Sequence, residues 1–266
     1  MKFQLDNGFL AYDHICKGIR LLFIHGYPLS RRIWEPQMEG LSKFASLISV
    51  DLRGHGGSYP FEGPYPMELL VEYCKQLLDN TNIKSPILVC GLSMGGYGTM
   101  ALFRKYPHLF KGMILTSTRP DPDSPEAKSN RDVGIKNVRD QGVVFIVDSM
   151  LPKLVSPMTV SSKPDLMNHI SDIMMETSGN GVVGALQGMK DRFDSTPMLP
   201  QIKCPSLIIH GADDQLISFH ETKLMEQQLP DSRLVILPEA GHLPNLEQPE
   251  RFNQAVRDFI LSLAQD

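Results

Sequence analysis

Apolar residues fall in short runs along this chain, each closed by glycine, proline or a polar turn residue. The runs cover 9–15, 21–25, 47–51, 87–90, 112–116, 206–210 and 233–237. Most are continuously apolar rather than alternating, the pattern of strands buried on both faces. Between many of them the apolar positions change to helical spacing. Over 68–80 they are Leu69, Leu70, Tyr73, Leu77 and Leu78, and a second helix is predicted over 95–106 directly after the run 87–90. A terminal helix is predicted over 248–264, with a stripe of Phe252, Val256, Phe259, Ile260 and Leu263. Strand–helix alternation of this kind predicts an α/β protein with a mostly parallel central sheet flanked by helices on both sides.

The alternation stops at Pro120-Asp121-Pro122-Asp123-Ser124-Pro125, a turn-rich stretch that ends in a helix-start signal, and resumes after Pro200. The reading is a core built from 1–119 and 201–266, with 120–200 a helical cap inserted over one end of the sheet. Met150, Met158, Met167, Met174, Met175, Met189 and Met198 are scattered through the insertion, and some are expected to line an adaptable pocket.

A chain of 266 residues, 42% hydrophobic and 21% charged, fills one sizeable globular core. Its net charge of -4 argues against a nucleic-acid or anionic-membrane partner. Cys16, Cys74, Cys90 and Cys204 lie far apart, with neither a CxxC pair nor zinc-ligand spacing, so no metal or redox site is expected. Residues 1–6 lack the apolar stretch of a signal peptide, and no run has the length of a membrane span, which makes the cytoplasm the expected location.

The chemistry starts at Gly91-Leu92-Ser93-Met94-Gly95, a G-x-S-x-G match between an apolar strand and a helix. That context suits a nucleophilic serine on a sharp strand-to-helix turn, where side chains at 91 and 95 would collide with neighbouring backbone. The helix behind it points its positive end at developing negative charge. A serine hydroxyl needs a base to take its proton. His242, in Ala240-Gly241-His242-Leu243-Pro244, follows the last strand and precedes the terminal helix, at the sheet end where α/β proteins bind ligands. His25 and His55 read as ordering their own turns, and His210 as a satisfied strand-end histidine. A carboxylate must then orient the imidazole. Asp213 and Asp214 both follow the run 206–210 in the order Ser, Asp, His, and spacing does not rank them. The oxyanion donors are expected to be the N–H groups of Met94 and Tyr27, since Pro28 has none.

With these residues in place, the chain resembles the α/β-hydrolase superfamily along nearly its whole length. The matching segments are HGYP at 25–28, DLRGHGGS at 51–58, GLSMGG at 91–96, HGADDQLIS at 210–218 and GHLPNLEQPERF at 241–252. The resemblance implies Asp214 as the acid, because in similar proteins the acid precedes a short x-Leu/Ile-x segment. Within the superfamily, the MLPKLVSP run at 150–157 and the RFDSTPML run at 192–199 look like the cap of the small bacterial carboxylesterase and 3-oxoadipate enol-lactonase-like branch. Related dehalogenases and epoxide hydrolases carry an aspartate where Ser93 stands, which disfavours those chemistries.

The expected activity is hydrolysis of a small-molecule carboxylic ester or lactone through an acyl-enzyme, with no metal and no organic cofactor. The pattern carries no signal on oligomeric state. The competing readings are a cofactor-free perhydrolase or haloperoxidase, a carbon–carbon bond hydrolase using the same triad, and a hydrolase-fold receptor for a small ligand. Arg192 is a conditional substrate-binding residue: if the cap brings it over the pocket, its guanidinium would hold a substrate carboxylate bidentately.

Overall fold

Eight strands form one sheet in the computed structural model, which describes residues 1–16, 18–81, 83 and 86–263. They are β1 (Lys2–Leu5), β2 (Gly8–Ile15), β3 (Ile19–Ile24), β4 (Ala45–Val50), β5 (Ile87–Leu92), β6 (Phe110–Thr116), β7 (Ser206–Gly211) and β8 (Ser232–Leu237). Their spatial order is β1-β2-β4-β3-β5-β6-β7-β8. The β1–β2 and β2–β4 pairs are antiparallel and all others parallel. Every residue of β4, β5 and β7 is buried, which is why these strands read as mainly apolar runs rather than as an alternation. The sequence pattern did not reveal β1. It is a four-residue edge strand that buries only Leu5, too short to show a period.

Helices α1 (Glu35–Leu41), α2 (Met67–Asn80) and α3 (Met94–Lys105) alternate with the first strands. Between β6 and β7 the chain is helical: α4 (Pro125–Gln141), α5 (Val144–Met150), α6 (Pro157–Ser162), α7 (Pro164–Met175) and α8 (Gly179–Lys190). Yet β6 and β7 are direct neighbours, with Met113 beside Ser206 and Thr116 beside Ile209, so these helices are an excursion from the sheet. The Ser-Pro pairs within it are helix starts. Ser124 and Ser156 each accept a backbone N–H from the first turn of the helix that follows, and Pro125 and Pro157 open those helices where a missing N–H does no harm.

The chain returns through α9 (Phe219–Gln228), α10 (Pro244–Glu247) and α11 (Pro249–Ser262). The predicted stripe of the last helix is buried at Phe252, Val256, Phe259, Ile260 and Leu263, while Ala264, the end of that prediction, lies outside the described residues. Among the described residues, no helix is long and apolar enough to cross a membrane.

What matters for the site is the crossover in strand order. The chain leaves β3 for β4 on one side, then returns to lay β5 on the other. Loops leaving the carboxyl ends of β3 and β5 therefore meet at a switch point, where open α/β sheets bind ligands. The loop after β3 carries Gly26 and Tyr27, and Ser93 immediately follows β5.

Candidate active site

Ser93 stands between β5 and α3 with φ 54° and ψ -112°. A non-glycine residue in that region costs about 1–3 kcal/mol and persists only where its surroundings hold it. Here the Ser93 N–H donates to Thr116 O at 2.9 Å, and the Thr118 hydroxyl donates to Ser93 O at 2.9 Å. Both flanking glycines are needed for close approach. A methyl on Gly91 would overlap the backbone of Gly95, and one on Gly95 would overlap Ile24 O. Ser93 is the N-cap residue of α3, so the Met94 N–H is the first of that helix and has no partner within it.

His242 follows β8 on a loop and is almost fully buried. Its Nδ1 lies 3.0 and 2.9 Å from the two carboxylate oxygens of Asp214, which follows β7. An ionised carboxylate only accepts, so Nδ1 carries the proton and Nε2 is left as the basic nitrogen. Asp214 Oδ1 also accepts the N–H groups of Leu216 at 2.8 Å and Ile217 at 3.1 Å. Burial raises the Asp214 pKa, but His242 and these two N–H donors outweigh it and hold the carboxyl below its usual range. The neighbouring Asp213 is exposed, and its N–H donates to Ala240 O in the histidine loop at 2.9 Å.

The loop after β3 lies against the serine turn. A methyl on Gly26 would stand 3.3 Å from Ser93 Cβ, so the residue before Tyr27 packs directly on the serine. His25 fixes this loop. Its Nδ1–H donates to Gly26 O at 2.8 Å, and its Nε2 accepts the Leu52 N–H at 2.9 Å. That pair of bonds requires a neutral ring. His55 lies 5.0 Å away, centroid to centroid, and its Nδ1–H donates to Arg53 O at 3.0 Å.

Burial lowers the His25 pKa to about 4, with Arg31 adding to the shift against a partial rise from the Gly26 bond. Burial and then the neighbouring His25 lower that of His55 to about 3, against smaller rises from the Arg53 bond and Asp51. Unfolded histidines titrate near 6.5. Between pH 6.5 and 4 the unfolded chain therefore binds more protons, and falling pH favours unfolding. Stability should be fully present above pH 6.5 and drop by on the order of 3 kcal/mol per histidine by pH 4. The direct check is an NMR titration. The ring C–H shifts of His25 and His55 should stay constant from pH 8 to 5, and a midpoint near 6.5 for either would count against this account.

Ser93 and His242 line one cavity of about 570 Å³, together with Tyr27, Tyr97, Arg119, Arg131, Phe145, Ile146, Leu186 and Leu216. Of the insertion's methionines, Met150 and Met189 are among its walls, whereas Met174 is core and Met158 and Met175 are exposed. The Tyr27 hydroxyl, which the sequence reading did not consider, is buried and has no protein partner among the described residues. Arg119 was available to that reading as a charged residue just past β6. Arg131 sits mid-helix on α4 and carried no such signal.

Arg192 does not meet the condition set for it. It is buried away from the lining of this cavity. Its Nη1 bonds the Asp123 carboxylate and Met189 O, and its Nε and Nη2 donate to Asp121 O at 3.2 and 2.7 Å. The guanidinium also lies over the Tyr97 ring at 4.2 Å. The physical reason is local: Arg192 follows the end of α8, where the buried Asp123 needs a cation. Burial raises the Asp123 pKa, but Arg131 and Arg192 together hold it below the usual carboxylate range. The pair ties the start of the insertion to its last helix.

A mostly parallel sheet with this strand order, a serine on a strained strand-to-helix turn and a histidine–aspartate pair on the last two strand ends define an α/β hydrolase. The chain belongs to the Alpha/beta hydrolase family, whose model matches residues 21–255. It is 28% identical over 236 residues to 3-oxoadipate enol-lactonase 2 of Acinetobacter baylyi, covering 89% of this chain and 86% of that protein. Its fold is similar to a malate-bound thermophilic esterase from Thermogutta terrifontis, with a TM-score of 0.94 and 38% identity over 96% of this chain and 94% of that one. It is also similar to the enol-lactonase from Burkholderia xenovorans, with a TM-score of 0.91 and 26% identity over 98% and 100% of the two chains.

Proposed function

We propose that this protein is a serine hydrolase that cleaves a small carboxylic ester or lactone. The observation that carries the reading is the shared cavity: Ser93 and the Asp214-bound His242 open on the same space. In this mechanism His242 Nε2 takes the Ser93 proton as Oγ attacks the substrate carbonyl carbon. The N–H groups of Tyr27 and Met94 receive the oxyanion of the tetrahedral intermediate, and the N-terminal end of α3 adds to their field. The imidazolium then protonates the leaving alkoxide, leaving an acyl group on Ser93. Water enters, His242 removes its proton, and the same steps in reverse release the acid. The esterase and enol-lactonase relatives support a carboxylic ester as substrate.

The test pairs a fluorophosphonate probe with p-nitrophenyl esters of increasing acyl length. The probe should attach to Ser93 alone, with loss of esterase activity in step with labelling. The short esters should turn over fastest, since bulky side chains such as Phe145 and Leu186 line the cavity of about 570 Å³. A folded protein that neither labels at Ser93 nor hydrolyses any ester of the panel would defeat the proposal.

A further inference from the structure

We infer that Glu247 is a positioning residue, a buried carboxylate that holds the His242 loop in register with the helical insertion. The inference rests on the reading of His242 as the base. Glu247 ends the short helix α10, five residues beyond His242, and is 2% exposed. Among the described residues it makes no ion pair. Both its oxygens go to backbone instead: Oε1 accepts the Gly241 N–H at 2.6 Å, and Oε2 accepts the Ser156 N–H at 2.7 Å. Gly241 immediately precedes His242, and Ser156 opens α6 of the insertion. A carboxylate buried without a counter-ion is costly, and two backbone donors converging on it give the compensation. Those two donors come from segments 85 residues apart that must meet at the site.

Other contacts converge on the same place. The segment Leu154-Val155-Ser156 is fully buried and runs against both functional loops. The Leu243 N–H donates to Leu154 O at 3.0 Å, and Gln215 Nε2, from the residue after Asp214, donates to Val155 O at 3.3 Å. The Ser156 hydroxyl donates to Glu239 O at 3.3 Å. The contact leaves no spare room, since a methyl on Gly241 would lie 2.6 Å from Ser156 N. Residues 154–156 thus act as a splint across the acid loop and the base loop, and Glu247 is the clasp that closes it. Without the clasp, the residue before His242 loses its tie to the insertion, and misplacement of a base by about 1 Å is enough to lose on the order of 100-fold in rate.

Glu247→Gln tests this. The amide keeps one acceptor but turns an NH2 group toward the other N–H, opening one arm of the clasp. The expected result is a folded protein whose kcat for a short p-nitrophenyl ester falls about 100-fold with KM changed little. The low-field His242 Nδ1 proton resonance should broaden or vanish. Val256→Ala, in the buried stripe of α11, is the control for lost stability alone: it should lower Tm while keeping both kcat and the Nδ1 resonance. A kcat within twofold of the parent in Glu247→Gln, with the Nδ1 resonance intact, overturns the inference, as does an equal loss of kcat in Val256→Ala. If Glu247→Gln does not fold, amide hydrogen exchange in the unaltered protein decides. Slow exchange at Gly241 and Ser156 supports the clasp, and exchange at exposed-loop rates refutes it. Should the parent prove inert toward esters, the proposed function fails, while the resonance and exchange data still judge the clasp.

Discussion

Ser93→Ala is expected to lower kcat for ester hydrolysis about a million-fold, by comparison with loss of the nucleophile in a serine protease. The substitution removes one oxygen and leaves the rest of the site in place. The strained turn is held by backbone bonds to Thr116 and by the Thr118 hydroxyl, none of which involves the Ser93 side chain. The Tyr27 and Met94 N–H groups and the cavity walls also remain. KM should therefore change little, and the residual rate over water would come from oxyanion binding alone. Steady-state kinetics with a p-nitrophenyl ester, together with circular dichroism to confirm an unaltered fold, gives the measurement. A variant that keeps a tenth or more of the parental kcat would remove Ser93 from the mechanism.

Asp214→Asn should reduce kcat by about ten-thousand-fold, as the equivalent change does in serine proteases. The reason lies in which atoms Asp214 already satisfies. Its Oδ1 accepts two backbone N–H groups, from Leu216 and Ile217, and an asparagine oxygen can keep both. The amide nitrogen then faces His242 as a donor. Nδ1, nearer to that position than to the remaining oxygen, is expected to accept this bond, moving the ring proton to Nε2, the nitrogen that in the proposed mechanism receives the Ser93 proton. The fold survives and the base is presented in the wrong tautomer. The imidazole 15N shifts should exchange their pattern between the two nitrogens, in parallel with the loss of rate. Unchanged kcat with the original tautomer retained would show that Asp214 does not orient the base. Asp213→Asn is the matched control, and its exposed carboxylate predicts a near-parental rate.

Much of this was legible in the residue order. The run 87–90 and the helix behind it placed Ser93 on a bend, and the glycines at 91 and 95 showed that the bend is tight. Seven of the eight strands are visible as runs: β4, β5 and β7 because every residue in them is buried, and the partly exposed β2 and β8 because they are long enough to carry several apolar residues. The edge strand β1 escaped because one buried leucine in four residues makes no pattern. His242 and an aspartate from 213–214 could be named as partners. Choosing between the two aspartates took a family resemblance, because adjacent positions have the same sequence spacing to everything else.

What the chain alone determined is whatever follows from neighbouring residues: strand and helix periods, the tight serine turn and the Ser-Pro helix starts. Each is set by sterics and hydrogen bonding within a few residues, so the signal is written where it acts. The tertiary structure alone decided which distant groups pair. It gave Arg192 to Asp123 rather than to the cavity, brought Arg119 and Arg131 to the walls facing Ser93, and set Glu247 between Gly241 and Ser156. Those pairings join positions from 6 to more than 80 apart, and they exist because burial forces each charged or polar group to find a partner among whatever the packed elements bring within reach.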